Sequence, residues 1–249
     1  MLLFGSYGGG AQRWLNLGFI KFQPSEMMKI IVPIAIAAIL SESTLPPRAR
    51  PVIISLVGIA IVVLLIAKQP DLGTALLIGA SGIYVLFFSG FRIRLLKNLW
   101  LNLGLIAGIL GGLLYFAWNY LLISYQKNRI LTLFNPESDP LGSGYHILQS
   151  KIAIGSGGLT GKGITQGSQS RLDFVPEQST DFIFSVLAEE MGFVGFILLL
   201  SIYTLIIYRC FNLSLRCEDN FSRLLGASLT FVLFTYIFVN MGMVSGLLP

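Results

Sequence analysis

One carboxylate occupies the most informative position in this chain. The run Phe174-Val-Pro-Glu-Gln-Ser-Thr-Asp181-Phe-Ile-Phe184 closes a long, glycine-rich polar stretch and leads into a strongly apolar one. Asp181 therefore stands where water gives way to hydrocarbon. The stretch before it is far longer than a connector needs. Loops beyond about 15 residues without evident structure are usually functional or disordered. This one is too rich in Gly, Ile, Leu and aromatic residues for disorder. Chemistry is to be sought here.

A second group lies in Gln23-Pro24-Ser25-Glu26-Met-Met-Lys29. Pro24 suits a first helical turn, which makes Glu26 and Lys29 neighbours three residues apart on one face. Charged groups entering an apolar segment line a cavity or pathway by default; a structural ion pair is the plainer account. Just upstream, Arg13 and Trp14 in Gly10-Ala-Gln-Arg-Trp place a cation beside an amphipathic ring. From composition alone that pair reads as an interfacial anchor.

Gly155-Ser-Gly-Gly-Leu-Thr-Gly161-Lys162-Gly163 invites comparison with a phosphate loop, but Ser156 and Gly163 occupy the wrong places. Two accounts remain. The glycines make tight turns with positive φ, or backbone N–H groups and Lys162 contact an anionic headgroup. Residues 144–154 place Tyr145, Leu148 and Ile152 at helical spacing, with Lys151 turned elsewhere, as in an interfacial amphipathic helix. Asp71 in Lys68-Gln-Pro-Asp-Leu-Gly-Thr74 can cap a following helix. Glu189 and Glu190 either sit in the protein interior or precede a span that begins at Met191. His146 is the only histidine, and without clustered carboxylates or thiols it makes a poor metal site. No metal and no cofactor is assigned, and a divalent-cation requirement stays open.

The elements that must hold these groups follow from composition. Of 249 residues, 54% are hydrophobic and 12% charged, with mean hydropathy +0.77. That much apolar surface calls for a bilayer as solvent, spanned by segments of roughly 20 residues. Candidate spans are 24–40, 51–67, 72–88, 99–123, 182–208 and 224–244. Continuous apolar runs rather than alternation make these helices, so the chain is all-α, a polytopic helical membrane protein. Residues 1–249 read as a single membrane domain, with 124–181 a long extracytoplasmic loop within it. Arg48, Arg50, Arg92, Arg94, Lys97, Arg209, Arg216 and Arg223 mark three loops as cytoplasmic. Residues 68–71 and 124–181 then fall outside. The net charge of +5 is mostly this topology signal, and no basic stripe supports nucleic-acid binding. The basic start of the chain and its stop just after a span make both ends look cut.

Several of these motifs recur together in one family. Gly10-Ala-Gln-Arg-Trp14, Phe22-Gln-Pro-Ser-Glu26, Gln69-Pro-Asp-Leu-Gly-Thr74, Asn135-Pro-Glu-Ser-Asp-Pro140, Gly144-Tyr-His-Ile-Leu-Gln-Ser150, Thr180-Asp-Phe-Ile-Phe184 and Asn240-Met-Gly-Met-Val-Ser-Gly246 appear in order. The chain resembles the SEDS family (shape, elongation, division and sporulation), and its RodA-type, rod-shape-determining branch in particular. Residues 152–158 and 185–190 favour that branch over the FtsW-type division branch. Ser179 stands where the family has His, and Lys21 where relatives often have Arg.

The resemblance implies about ten membrane spans, of which this chain carries six. It also implies a peptidoglycan glycosyltransferase of the bacterial cytoplasmic (inner) membrane, its active site facing the periplasm or outside. Such an enzyme polymerises lipid II beside a class B penicillin-binding protein and among membrane lipids. The resemblance suggests Asp181 as general base and Arg13, Lys21, Lys29, Lys151 and Lys162 as cations for a pyrophosphate leaving group. Glu26 would position Lys29, and Trp14 would pack on sugar or prenyl. Two rival functions stand beside it: a lipid-linked precursor flippase, and a non-catalytic scaffold for the transpeptidase.

Overall fold

A computed structural model describes residues 6–8, 11–16, 21–69, 71–91, 99–122, 124–134, 143–167 and 182–248. In chain order these form β1 (Ser6–Gly8), β2 (Ala11–Asn16), β3 (Lys21–Phe22), α1 (Pro24–Ser41), α2 (Ala49–Ala67), α3 (Leu72–Phe88), α4 (Leu99–Phe116) and a π-helical turn (Ala117–Leu121). They continue with α5 (Ser124–Phe134), α6 (Ser143–Gly157), α7 (Ile183–Leu215) and α8 (Asn220–Ser245). The protein is a polytopic helical membrane protein. α1, α2, α7 and α8 are each long and apolar enough to cross a bilayer, and α3 is apolar over 17 residues.

The helices begin where local chemistry allows. α1 opens on Pro24, whose missing N–H costs nothing in a first turn. Asp71 caps α3, its carboxylate accepting the Thr74 N–H at 3.2 Å, as the sequence suggested. Two features were not foreseen. Residues 6–22 contain a small antiparallel sheet in the order β1-β2-β3. The long loop also carries α5, ahead of the helix α6 that was expected over 144–154.

The chain forms two compact units, 1–92 with 204–235 and 93–203 with 236–249. In the first, α1, α2 and α3 pack on one another around Val32, Ile36, Leu40, Val52, Ile78 and Val85. Helices in lipid gain little from hydrophobicity alone, so close van der Waals fit must hold them. Gly82 supplies that fit, because a methyl group there would lie 2.7 Å from the Ile59 side chain. Ser81, fully buried, returns its hydroxyl to the Ile78 carbonyl at 2.7 Å and leaves no bare polar atom. Phe88 packs edge-on to Phe231 with ring centroids 4.9 Å apart. Close by, Tyr84 and Thr235 share a hydroxyl hydrogen bond of 2.7 Å.

Large apolar side chains such as Leu64, Phe87, Leu205 and Tyr208 point outward. On a soluble protein such patches would mark interfaces. On helices long and apolar enough to cross a bilayer, such side chains suit a hydrocarbon surround.

Candidate active site

Asp181 lies outside the described residues. The chain that follows it enters α7 at once. The Phe182 carbonyl accepts the Ser185 N–H at 3.0 Å and the Ser185 hydroxyl at 2.7 Å, closing the first turn. Phe184, nearly buried, faces Phe196 and Tyr203 and seats this start of the helix. In sequence, Asp181 stands two positions before Ile183, the first residue of this helix.

α7 is not continuous. Gly192 has φ 66° and ψ −166°, which breaks the helix after its first nine residues. That backbone region is essentially closed to residues with a Cβ. In an unbroken α-helix the N–H groups of Phe193 and Val194 would donate to the carbonyls of Glu189 and Glu190. Instead they donate to Gly158 (2.9 Å) and Leu159 (3.1 Å). The vacated carbonyls of Glu189 and Glu190 accept the N–H groups of Lys162 and Gly163, each at 3.0 Å. Two helical bonds are thus exchanged for four bonds to the turn after α6. Positive φ at Gly158, Gly161 and Gly163 shapes that turn, which is the glycine geometry anticipated from sequence.

The crossing leaves no room for side chains. A Cβ on Gly161 would lie 2.1 Å from the Glu190 carbonyl oxygen, and one on Gly157 would lie 2.0 Å from that of Ala188. Lys162 Nζ reaches Glu189 Oε1 at 2.7 Å, with Glu189 0% exposed and Lys162 29%. The Ser156 hydroxyl lies 3.5 Å from the same oxygen. Glu189 is therefore interior, one of the two alternatives left open above. Its partner was missed, although a carboxylate inside an apolar helix demands a cation.

α6 presents two faces. Ile147, Ser150, Ala153 and Gly157 are buried, while Leu148 and Ile152 look outward. Helix 143–157 is thus where expected, but it packs through a face the apolar spacing did not single out. Ser150 donates to the Val244 carbonyl at 2.9 Å, which docks α6 on the end of α8. α8 ends on Gly246 at φ 72°, with the Leu247 N–H bonded to Gly242 at 2.7 Å. Lys151 lies against that end: its Nζ would be 2.9 Å from a Cβ on Gly246. A cation there complements the negative pole of the helix. Lys151 is exposed, and no carboxylate pairs with it among the described residues. Beside it, Ile154, Phe184, Phe193, Phe196, Met241 and Val244 line an apolar cavity of about 270 Å³.

The remaining candidates belong to the other compact unit. β2 carries the backbone of Arg13 and Trp14, and β3 pairs Lys21 with Asn16. On α1, Lys29 Nζ meets Glu26 Oε2 at 2.6 Å, with Lys29 13% and Glu26 54% exposed. Glu26 and Lys29 do share a face, as their spacing required. The Gln23 side chain donates to Asp71 at 3.4 Å, so the starts of α1 and α3 are joined. Among the described residues no three His, Cys, Asp or Glu side chains group as metal ligands.

Comparison with known proteins adds a lineage to this geometry. The model of the FTSW_RODA_SPOVE family, described as cell cycle protein, matches residues 1–249. The peptidoglycan glycosyltransferase MrdB of Escherichia coli K12 is 49% identical over 246 residues, covering 99% of this chain and 65% of that protein. The probable peptidoglycan glycosyltransferase FtsW of Geobacter metallireducens is 35% identical, covering 98% and 63%. The chain thus spans about two thirds of the length of these relatives. A chain of a solved peptidoglycan synthase complex, described as coordinating polymerization and crosslinking, superposes with TM-score 0.76 at 30% identity, covering 100% of this chain and 67% of its own. An aspartate-to-alanine mutant of the Thermus thermophilus rod shape determining protein RodA gives TM-score 0.64 at 28% identity, covering 100% and 62%.

Proposed function

The chain belongs to the FTSW_RODA_SPOVE family of cell cycle proteins, and on that premise we propose that it carries the glycan-polymerising chemistry of a peptidoglycan glycosyltransferase. The substrate is lipid II, a disaccharide-peptide on undecaprenyl pyrophosphate. One observation carries the proposal: near-complete coverage of the chain, at 49% identity, by a relative named for this activity.

The step is a single displacement. Asp181 takes the proton from the 4-hydroxyl of an acceptor GlcNAc, acting as general base. The resulting oxygen attacks the anomeric carbon of the donor MurNAc on the face opposite its pyrophosphate. The anomeric C–O bond breaks, its electron pair leaves with undecaprenyl pyrophosphate, and the α-linked donor becomes a β-1,4 product. Negative charge grows on the leaving group in the transition state, so cations placed for it lower the barrier. Lys151, exposed beside an apolar cavity, suits that role, and Arg13, Lys21 and Lys29 are the other candidates. Glu26, at 2.6 Å, orients Lys29. Trp14 offers a surface for sugar or prenyl.

The complex in which a related chain was solved supports a class B penicillin-binding protein as the crosslinking partner. Apolar helices with loop cations biased to one side support a multi-pass location in the bacterial cytoplasmic membrane, with Asp181 facing outward. The test is polymerisation of lipid II by the complete protein and its Asp181→Asn variant. Glycan strands from the first and none from the second are expected. Normal strands from the variant would remove Asp181 from the mechanism, and labelled lipid crossing vesicles without polymer would favour the flippase.

A further inference from the structure

We propose that the outward face of the last turns of α7, built on Arg209 and Arg216, binds the phosphate headgroup of one anionic phospholipid. The inference needs α7 to cross a bilayer, which its length and composition allow, and it does not depend on the sugar chemistry above. All the residues concerned belong to the first compact unit.

Packing identifies the two faces of this end of α7. Ser214, 5% exposed, lies against α8, where a Cβ on Gly226 would be 2.4 Å from its hydroxyl. Phe211 faces Phe88 of α3 and Phe231 of α8, with ring centroids 5.8 Å and 6.1 Å away. That side is closed by protein. Arg209 and Arg216 stand seven positions apart, so at 3.6 residues per turn they differ by only about 20° around the axis. Leu205 and Asn212 fall on the same side, and Ser214 is roughly 150° away. Arg209 and Arg216 are both exposed. Leu205 and the flanking Tyr208, 68% and 69% exposed, form an apolar strip that runs directly into the first arginine.

The charges on that face are unanswered. Among the described residues neither guanidinium has a hydrogen-bond or ion-pair partner. Arg223, across the same turn, differs: it donates to Asn220 Oδ1 at 2.5 Å. Asp219, the neighbouring acid, is held by Ser222, and the Asn212 amide donates to the Tyr208 carbonyl at 3.0 Å. The two arginines are separated by about 10 Å along the axis at 1.5 Å per residue, and at the edge of hydrocarbon they repel with less screening than in water. A phosphodiester between them accepts charge-assisted hydrogen bonds from both forks, while its acyl chains lie along Leu205. A soluble phosphate lacks the apolar contact. A zwitterionic lipid brings its own cation and gains less.

The experiment titrates phosphatidylglycerol, phosphatidylcholine and inorganic phosphate separately into the complete, delipidated protein in detergent and counts bound molecules by native mass spectrometry. The variants are Arg209→Gln, Arg216→Gln, the two together, and Arg223→Gln, which removes the same charge from the paired arginine. Wild type is expected to hold one phosphatidylglycerol more tightly than phosphatidylcholine. Arg209→Gln and Arg216→Gln should each weaken that binding about fivefold, and the double variant about 25-fold, with Arg223→Gln within about twofold of wild type. Three results overturn the inference. Equal losses in all three single variants would mean diffuse attraction to net charge. Equal retention of phosphatidylcholine would mean apolar contact alone. Undiminished phosphatidylglycerol binding in the double variant would leave this face to another occupant, such as a partner's membrane helix. Displacement of the lipid by millimolar inorganic phosphate would likewise replace lipid recognition with simple anion binding. If one arginine variant does not fold, the other is compared with Arg223→Gln and decides the same question.

Discussion

The Gln23 side-chain amide donates to the Asp71 carboxylate at 3.4 Å, across 48 residues of chain, while the same carboxylate caps α3 through Thr74. One acidic group therefore serves two helix starts. Asp71→Ala should lose about 1 kcal/mol through the cap alone, and a further amount through the lost tie to α1. Asp71→Asn retains an acceptor for Thr74 and should lose less. Thermal melting of the purified protein in detergent checks the order. Equal melting temperatures for wild type and Asp71→Ala would refute it.

Gly192→Ala should be among the most damaging single-methyl changes in the protein. Its φ of 66° and ψ of −166° belong to a region that costs other residues on the order of 1–3 kcal/mol. The new Cβ would also lie 2.3 Å from the Gly161 nitrogen. Gly58→Ala is the control, because nothing lies within 4 Å of a Cβ there and the site is inside α2. It should be neutral or gain about 0.5–1 kcal/mol. Comparable yields and melting temperatures for the two variants would argue against the crossing described here.

Where the sequence was informative, and where it was silent, follows from the range of the forces involved. The helices over 24–40, 51–67 and 72–88 were legible because continuous apolar runs bounded by Pro, Arg and Asp leave few alternatives, and α1, α2 and α3 lie there within two residues. The pairing of Glu26 with Lys29 was legible because helical periodicity alone brings them together. α5 was not, because Gln126, Lys127, Asn128 and Arg129 hide its apolar residues in a polar stretch. The break at Gly192 was invisible for another reason. Met191, Gly192 and Phe193 all suit an apolar helix, and the turn that replaces the lost bonds lies far away in sequence. Lys162 and Glu189, 27 residues apart, share that obstacle. Asp181 was singled out from sequence, and it lies outside the residues the structure describes.

Glu26 and Lys29 allow activity to be separated from stability. Ion pairs at this spacing on a helix contribute about 0.2–0.5 kcal/mol, so Lys29→Met and Glu26→Gln should fold and melt nearly as wild type does. If Lys29 offsets leaving-group charge, Lys29→Met should still lower lipid II turnover by about two orders of magnitude. Unchanged turnover would return the pair to a structural role.

Asp219 makes a pH prediction. Its carboxylate accepts the Ser222 N–H at 2.9 Å and the Ser222 hydroxyl at 3.0 Å, and these bonds lower its pKa from the ordinary 3.8. The unfolded chain then binds this proton at higher pH than the folded one. The stabilisation is therefore complete above 3.8 and is lost as pH falls through the lower folded value. Ser222→Ala removes one of these bonds, so its melting temperature should decline less steeply than wild type below pH 3.8. Parallel acid melting curves would contradict this.

The exchanged bonds at Gly192 have a consequence for inheritance as well as for shape. The Gly158 and Leu159 carbonyls and the Lys162 and Gly163 N–H groups find their mates in a segment of chain far from their own. Transplanting α7 from a relative without the turn that threads it would leave those groups without their partners, at the cost of an unmade hydrogen bond each. The two pieces thus behave as one indivisible cassette, and chimaeras that split it should fail in the membrane even where every exchanged residue is individually tolerated.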